Sequence, residues 1–216
     1  MFLRKVEFVV FALSLAFFSQ GNVDSATTEG RLGLMKLGAE APKFSLPDVV
    51  SGKTVSIDDF QGKKALLVII LCRHCPYVQH AKKGIAQLAK DYAGKDLAIV
   101  AISANDPAAI PVDRPDSLKE MALEEGFNFP VLFDETQQAT KAYTAVATPD
   151  FFLFDQNRRL VYRGQFDDAR PGNDKPVTGQ DMRRAIDALL ADQPIPKEQK
   201  PSFGCSIKWK PGNGPI

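Results

Sequence analysis

Ala65 to Leu71 is an unbroken apolar run, closed on one side by Lys63-Lys64 and on the other by Cys72. A run this short and this apolar fits a central strand of a parallel sheet, covered on both faces. The segment from Val78 to Tyr92 has a different period. Val78, Ala81, Ile85, Leu88, Ala89 and Tyr92 recur at steps of three and four, with Lys82, Lys83, Gln87 and Lys90 on the opposite face, up to Gly94. Leu97 to Ser103 is a second strand of the same kind. Strand, helix and strand at this spacing form a βαβ unit, which restricts the chain to α/β architectures with a right-handed crossover.

The junction between the first strand and the helix reads Cys72-Arg73-His74-Cys75-Pro76. Of the three cysteines and two histidines in the chain, only Cys205 lies outside the stretch from Cys72 to His80. The plainer alternatives for the pair are a structural disulfide and a metal knuckle. A structural zinc site commonly takes four ligands from two pairs, and a c-type haem needs His directly after the second Cys, where this chain has Pro76. A soft Cu(I) site made by Cys72, Cys75 and His74 is the metal alternative. His80 reads as an exposed helix residue.

Thiol–disulfide exchange is the chemistry that best suits the arrangement. A cysteine attacks as its thiolate. Cys72 is expected where strand gives way to helix, where unpaired N–H groups and the helix dipole favour negative charge. Arg73 and His74 add positive potential, so the Cys72 pKa is expected below the free value of about 8.5. Cys75, one turn on, falls within the Cα separation of about 5.5–6 Å that a disulfide prefers. On this reading Cys72 attacks and the less exposed Cys75 resolves. A cation beside the thiolate stabilises the dithiol, which makes the disulfide a stronger oxidant.

The rest of the chain supplies surroundings. Arg4 and Lys5 precede an apolar stretch, Phe8 to Phe18, with small residues further on at Ser25 and Ala26. Residues 1–25 therefore read as a secretory signal peptide, cleaved near Ser25–Ala26, and the product as periplasmic or secreted with no stable membrane span. Glu7 at the edge of the run keeps an uncleaved anchor as the alternative. Residues 26–37 read as a leader, 38–192 as one domain, and 193–216 as an extended Pro-rich tail carrying Cys205 and the only tryptophan, Trp209. Within the domain, Pro42 to Pro47 reads as an edge strand, Ser56 to Phe60 as a capped helical turn and Asn105 to Asp116, with three prolines, as a stiff functional rim. A helix to Gly126, a short strand at Phe129 to Phe133 and a helix at Gln137 to Tyr143 come next. Ala147 to Asp155 reads as one strand with Pro149 at its start, paired in a hairpin with Leu160 to Gly164. Phe151, Phe152 and Phe154 are core of that strand. A polar loop, Phe166 to Val177, leads to a last helix with the stripe Met182, Ala185, Ile186 and Leu189. Arg163 and Arg170 are candidates to line the site, with surface placement the default. A formal charge of +1 argues against nucleic acid as a partner.

Five pieces taken together carry a resemblance: Gly38 to Phe44, Cys72 to Val78, Thr148 to Phe154, Asp168 to Asn173, and Gly204 to Lys210. In this order the chain resembles the AhpC/TSA–redoxin branch of the thioredoxin superfamily, and within it bacterial proteins labelled peroxiredoxin-like. The resemblance implies a thioredoxin-like fold, a central mixed sheet flanked by helices. It implies that Thr148-Pro149 is a cis-proline turn facing the cysteine pair and pairing with an extended substrate. It also implies protein thiols or disulfides and a redox partner as the molecules met, and no cofactor. Peroxiredoxins of this branch carry Pro-x-x-x-Thr-x-x-Cys. Ile69 stands three before Cys72, and Cys72 stands three before Cys75, so that motif is absent and a peroxidase is the alternative reading. Relatives often carry Cys at the position of Ala147, a thiol this chain lacks. Cys205 is open to three readings, a free buried thiol, an intermolecular bridge or a third redox thiol, on an extended tail that could fold back over the domain with Trp209 as its anchor.

Overall fold

The computed structural model describes Met1 and residues 34–214. The signal-peptide reading lies outside the described residues. Among the described residues no helix is long and apolar enough to cross a membrane.

Among the described residues the first element is a hairpin, β1 (Ser45–Pro47) against β2 (Thr54–Ser56). A 3-10 turn at Ile57–Phe60 comes next, where Asp59 accepts from the backbone and hydroxyl of Ser56. The main elements are β3 (Ala65–Ile70), α1 (Pro76–Asp91), β4 (Leu97–Ser103), α2 (Pro115–Glu125), β5 (Val131–Phe133) and α3 (Gln138–Ala142). Then come β6 (Ala147–Thr148), β7 (Asp150–Phe154), β8 (Leu160–Gly164), α4 (Gln180–Leu190) and β9 (Cys205–Ser206). The central sheet has the order β5-β4-β3-β7-β8. β3, β4 and β5 run parallel, while β7 runs antiparallel to β3 and β8 antiparallel to β7. It is a mixed sheet in a thioredoxin-like α/β fold.

β3 shows why its sequence carries no polar residue. All six of its residues are buried. Ala65, Leu67 and Ile69 face one core with Val78, Ile85 and Leu88 of α1, Leu118 and Met121 of α2, and Met182 and Ile186 of α4. Leu66, Val68 and Ile70 face a second core with Tyr143, Phe152, Phe154, Phe44 and Ile57. Each Leu, Ile or Val so buried contributes about 1.5–3 kcal/mol over an exposed one.

One expectation changes. The stretch from Ala147 is not one strand. Thr148–Pro149 is a cis peptide bond, and it divides β6 from β7. Pro149 has no N–H to place in a ladder, and β6 leaves the main sheet to pair with β9 of the tail. The extended tail lies back along the domain. Gln165 N–H donates to Lys200 O at 2.9 Å and Ser202 Oγ to Gly164 O at 2.7 Å. Asp106 N–H donates to Lys208 O at 2.8 Å, and Ile207 is buried. Trp209 packs on the second core.

Candidate functional site: three thiols around Thr148

Pro76 decides where α1 starts. Proline fits the first helical position, where its missing N–H is an orphan anyway. Cys75 is therefore the N-cap, in extended conformation with φ −68° and ψ 124°. This corrects the expectation for Cys72. Cys75 occupies the helix terminus, and Cys72 lies in the bend between it and β3. The expected difference in exposure is also absent, because both cysteines are 0% exposed.

The bend is held by a residue that sequence reasoning passed over. Asp113 is fully buried, and its Oδ1 accepts from the backbone N–H of Arg73 and of His74, each at 2.8 Å. Its Oδ2 accepts from Asn105 Nδ2 at 2.7 Å and lies 2.5 Å from His74 Nδ1. Asn105 in turn accepts from Lys208 N–H of the tail at 2.8 Å. The rim expected at Asn105–Asp116 carries both residues. Pro111 and Pro115, either side of Asp113, were the signal available, but no local rule marks which carboxylate of a loop turns inward.

Arg73 does not tune Cys72 as expected. Its guanidinium donates to Ser117 O and Glu120 Oε2, both at 2.6 Å, and lies 3.8 Å from Glu124. Its charge is met by α2. His74 does reach the sulfur, with Nδ1 3.4 Å from Cys72 Sγ. Cys72, His74 and Asp113 offer ligand atoms within 4.8 Å of one another, a different trio from the expected Cys72, Cys75 and His74. Four donors already engage the two oxygens of Asp113. A carboxylate has about four lone-pair sites, so a metal ion there would have to displace one of those donors.

Thr148 stands opposite. Its Oγ1 is 3.2 Å from Cys72 Sγ, and its carbonyl oxygen is 3.0 Å from Cys75 Sγ. Its strand, β6, runs antiparallel to β9 with Thr148 across from Cys205 and Ala147 across from Ser206. That register brings Cys205 Sγ to 2.7 Å from Cys75 Sγ. Gly204 makes the approach possible, since a Cβ there would lie 2.0 Å from Thr148 O. All three cysteines are free thiols.

The thiols differ in acidity. The hydrogen bond shared with Cys72 pulls the Cys75 thiol down to about 4. Burial works against this, while the Cys205 thiol and the backbone groups of Val78 and Cys205 help. The Thr148 carbonyl is an acceptor and favours the protonated form. The donors outnumber it, so the direction is down. Cys72 moves the other way, pushed up by the same shared bond, by burial and by the Asp113 carboxylate, against the help of Thr148 Oγ1. Burial and the bond to Cys75 raise Cys205 to about 11. Cys72 and Cys75 thus titrate as a pair, with the direction up for Cys72 and down for Cys75 chiefly because of the bond they share.

Three further placements differ. Arg163 is not a surface residue. Its side chain is 11% exposed and pairs with the buried Asp150 at 3.1 Å, while bonding Thr144 O at 2.8 Å, which ties down the segment leading to β6. Burial raises the Asp150 pKa against the pull of Arg163. Arg170 lies 4.3 Å over the Phe203 ring, bracing the tail next to Gly204. His80 is half-buried rather than exposed, lining a cavity of about 20 Å³ with Tyr77, Pro149, Phe166 and Phe203.

The profile of the AhpC/TSA family matches residues 37–163. The thiol-disulfide oxidoreductase ResA of Bacillus cereus is 26% identical over 133 residues, 59% of this chain and 68% of its own. Peroxiredoxin Bcp of Escherichia coli is 26% identical over 155 residues, 66% of this chain and 92% of its own. Among solved structures, an uncharacterized conserved protein from Geobacillus kaustophilus is 47% identical, with TM-score 0.81 over 83% of this chain and 95% of that one. A putative thioredoxin from Neisseria meningitidis shares the fold, at 24% identity and TM-score 0.55 over 70% of this chain and 90% of that one. The sheet order, the cysteine pair beyond the end of its central strand and these likenesses agree. The chain belongs to the AhpC/TSA family and is an oxidoreductase.

Proposed function

We propose that this protein is an exported thiol–disulfide oxidoreductase that cycles Cys72 and Cys75 between dithiol and disulfide. The observation that carries the reading is the position of Cys75. It caps α1, it is the acidic thiol, and it faces Thr148, whose backbone is paired by an extended strand. The roles follow from that position and are the reverse of the sequence expectation. The Cys75 thiolate attacks a substrate disulfide, forming a mixed disulfide and releasing one substrate thiolate. Cys72 then attacks Cys75 Sγ, closes the Cys72–Cys75 disulfide and releases the second thiol. Oxidation of a client dithiol is the same sequence in reverse. Pro149 lies beside this edge, and Thr148 offers a substrate the backbone groups that β9 now uses. Protein thiols and a redox donor or acceptor are the partners. ResA is named for this activity.

The test is trapping. In Cys72→Ser/Cys205→Ser, Cys75 has no resolving partner and should accumulate mixed disulfides, identified by mass spectrometry. Cys75→Ser/Cys205→Ser should accumulate none. Trapping by the second variant and not the first would overturn the roles. Export is tested by N-terminal sequencing of protein from the periplasmic or secreted fraction, with a new terminus expected near Ala26.

A second reading, a thiol peroxidase, is favoured by the likeness to Bcp and by the acidity of Cys75. Against it, the threonine that peroxiredoxins carry three residues before the attacking Cys is here Cys72. Peroxide consumption measured beside disulfide exchange separates the two.

A further inference from the structure

The tail does at Thr148 what a substrate peptide would do. β9 is a two-residue strand added antiparallel to β6, in the register Thr148–Cys205. Strand addition of this kind takes its affinity from main-chain hydrogen bonds and its specificity from the side chains delivered. Here the side chain delivered is a thiol, 2.7 Å from Cys75 Sγ. The fit is close on both sides of the tail. A Cβ at Gly204 would meet Thr148 O at 2.0 Å, and one at Gly164 would meet Lys200 O at 2.5 Å. Anchors continue along the strand. Lys208 exchanges hydrogen bonds with Asp106 and Asn105, and Lys210 N–H donates to Gln137 Oε1 at 2.8 Å.

We infer that Cys205 is a third redox thiol, an internal substrate that exchanges with Cys72 for Cys75 and holds the substrate edge closed until a client strand displaces it. This rests on the exchange reading above. The step needs no outside oxidant once the Cys72–Cys75 disulfide exists. Cys205 loses its proton to solvent, and its thiolate attacks Cys75 Sγ. The Cys75–Cys205 bond forms as the Cys72–Cys75 bond breaks, and Cys72 leaves as a thiolate and takes up a proton. The number of disulfides is unchanged. The oxidised protein thus has two forms, and in one of them the tail is bonded across the site. Thr148 Oγ1 lies 3.2 Å from Cys72 Sγ, so its hydroxyl can donate to the thiolate that Cys72 becomes as it leaves.

The experiment uses the full-length chain, reduced, treated with one equivalent of diamide, quenched with N-ethylmaleimide and mapped by peptide mass spectrometry without reduction. Wild type should give both Cys72–Cys75 and Cys75–Cys205 linkages. Cys72→Ser should give Cys75–Cys205 alone, and Cys72→Ser/Gly204→Ala should lower its yield about tenfold or more, because the added Cβ drives the strand from Thr148. A Cys72–Cys75 linkage in wild type, with no Cys75–Cys205 linkage in wild type or Cys72→Ser, overturns the inference and leaves the exchange reading standing. A map lacking Cys72–Cys75 overturns the exchange reading and the swap together. If Cys72→Ser does not fold, the wild-type map decides.

Discussion

Two regions converge on the same sulfur cluster by different physical means. The βαβ unit, residues 65–103, reaches it from inside. β3 is buried along its whole length, sits between two strands of the sheet and has a core on each face. The tail, residues 193–214, reaches it from outside, through a two-residue strand, loop hydrogen bonds, two close approaches at glycine and a small apolar anchor of Ile207 and Trp209 on the second core. The first is fixed by apolar burial, which is lost only when the domain unfolds. The second is fixed by contacts that can be released one segment at a time, the property of low-stability units within a folded domain. The difference assigns roles. Cys72 and Cys75 belong to the part held by burial, and Cys205 to the part held mainly by strand pairing and hydrogen bonds.

Substitutions should separate the two regions. The largest effect is expected at the sulfur itself. Cys75→Ser should lower exchange at least about a thousandfold, measured by reduction of a protein disulfide, while Cys205→Ser retains turnover. Next is the inner region. Phe152→Ala, at a fully buried ring packed edge-on against Tyr143, should cost about 3–5 kcal/mol in urea unfolding. The tail should respond less in stability and more in access. Gly204→Ala should cost about 1 kcal/mol or less globally, yet raise alkylation of Cys75 by iodoacetamide about tenfold. Equal stability losses from Phe152→Ala and Gly204→Ala, with no gain in alkylation, would erase the distinction between the regions.

A pH profile sharpens the comparison further. Thiolate absorbance should show Cys75 titrating near pH 4, and Cys72→Ser should shift it upward, since the bond with Cys72 is the main cause of the low value. The sign for stability follows from the folded pKa lying below the ordinary thiol value of about 8.5. The folded reduced state gains from this group as pH rises from about 4, fully above the ordinary value, and loses the gain as pH falls back through about 4. The smallest expected shift is in potential. A thiolate stabilised by donors favours the dithiol, so the Cys72–Cys75 disulfide should lie above the roughly −270 mV of thioredoxin in a redox titration.

The same division governs what could be read from residues alone. β3, α1 and β4 are legible because burial imposes a period, and the helix of Val78 and Ile85 appears where its stripe predicts. The cysteine pair is legible because its spacing is local. Which of the two caps the helix was not, because that turns on one residue: Pro76 starts the helix after Cys75 and so moves the terminal N–H groups away from Cys72. Asp113 and the β6–β9 pairing were also hidden. Each joins residues far apart in the chain, the first in a proline-rich loop and the second in a tail without periodicity. Arg73 misled for a related reason. Its proximity in sequence suggested a charge for the sulfur, whereas α2 presents Glu120 to it.

Gly204 against Thr148 has a last consequence, one of competition. A segment tethered to its own docking edge acts at an effective concentration in the millimolar range. A free peptide must overcome that concentration to pair with Thr148, so an extended segment carrying one accessible thiol is a poor rival. A client that adds contacts of its own around the edge, or one that forms a covalent bond on arrival, has the advantage. The tail then sets a threshold on which thiols in a crowded compartment are served, without recognising any of their sequences.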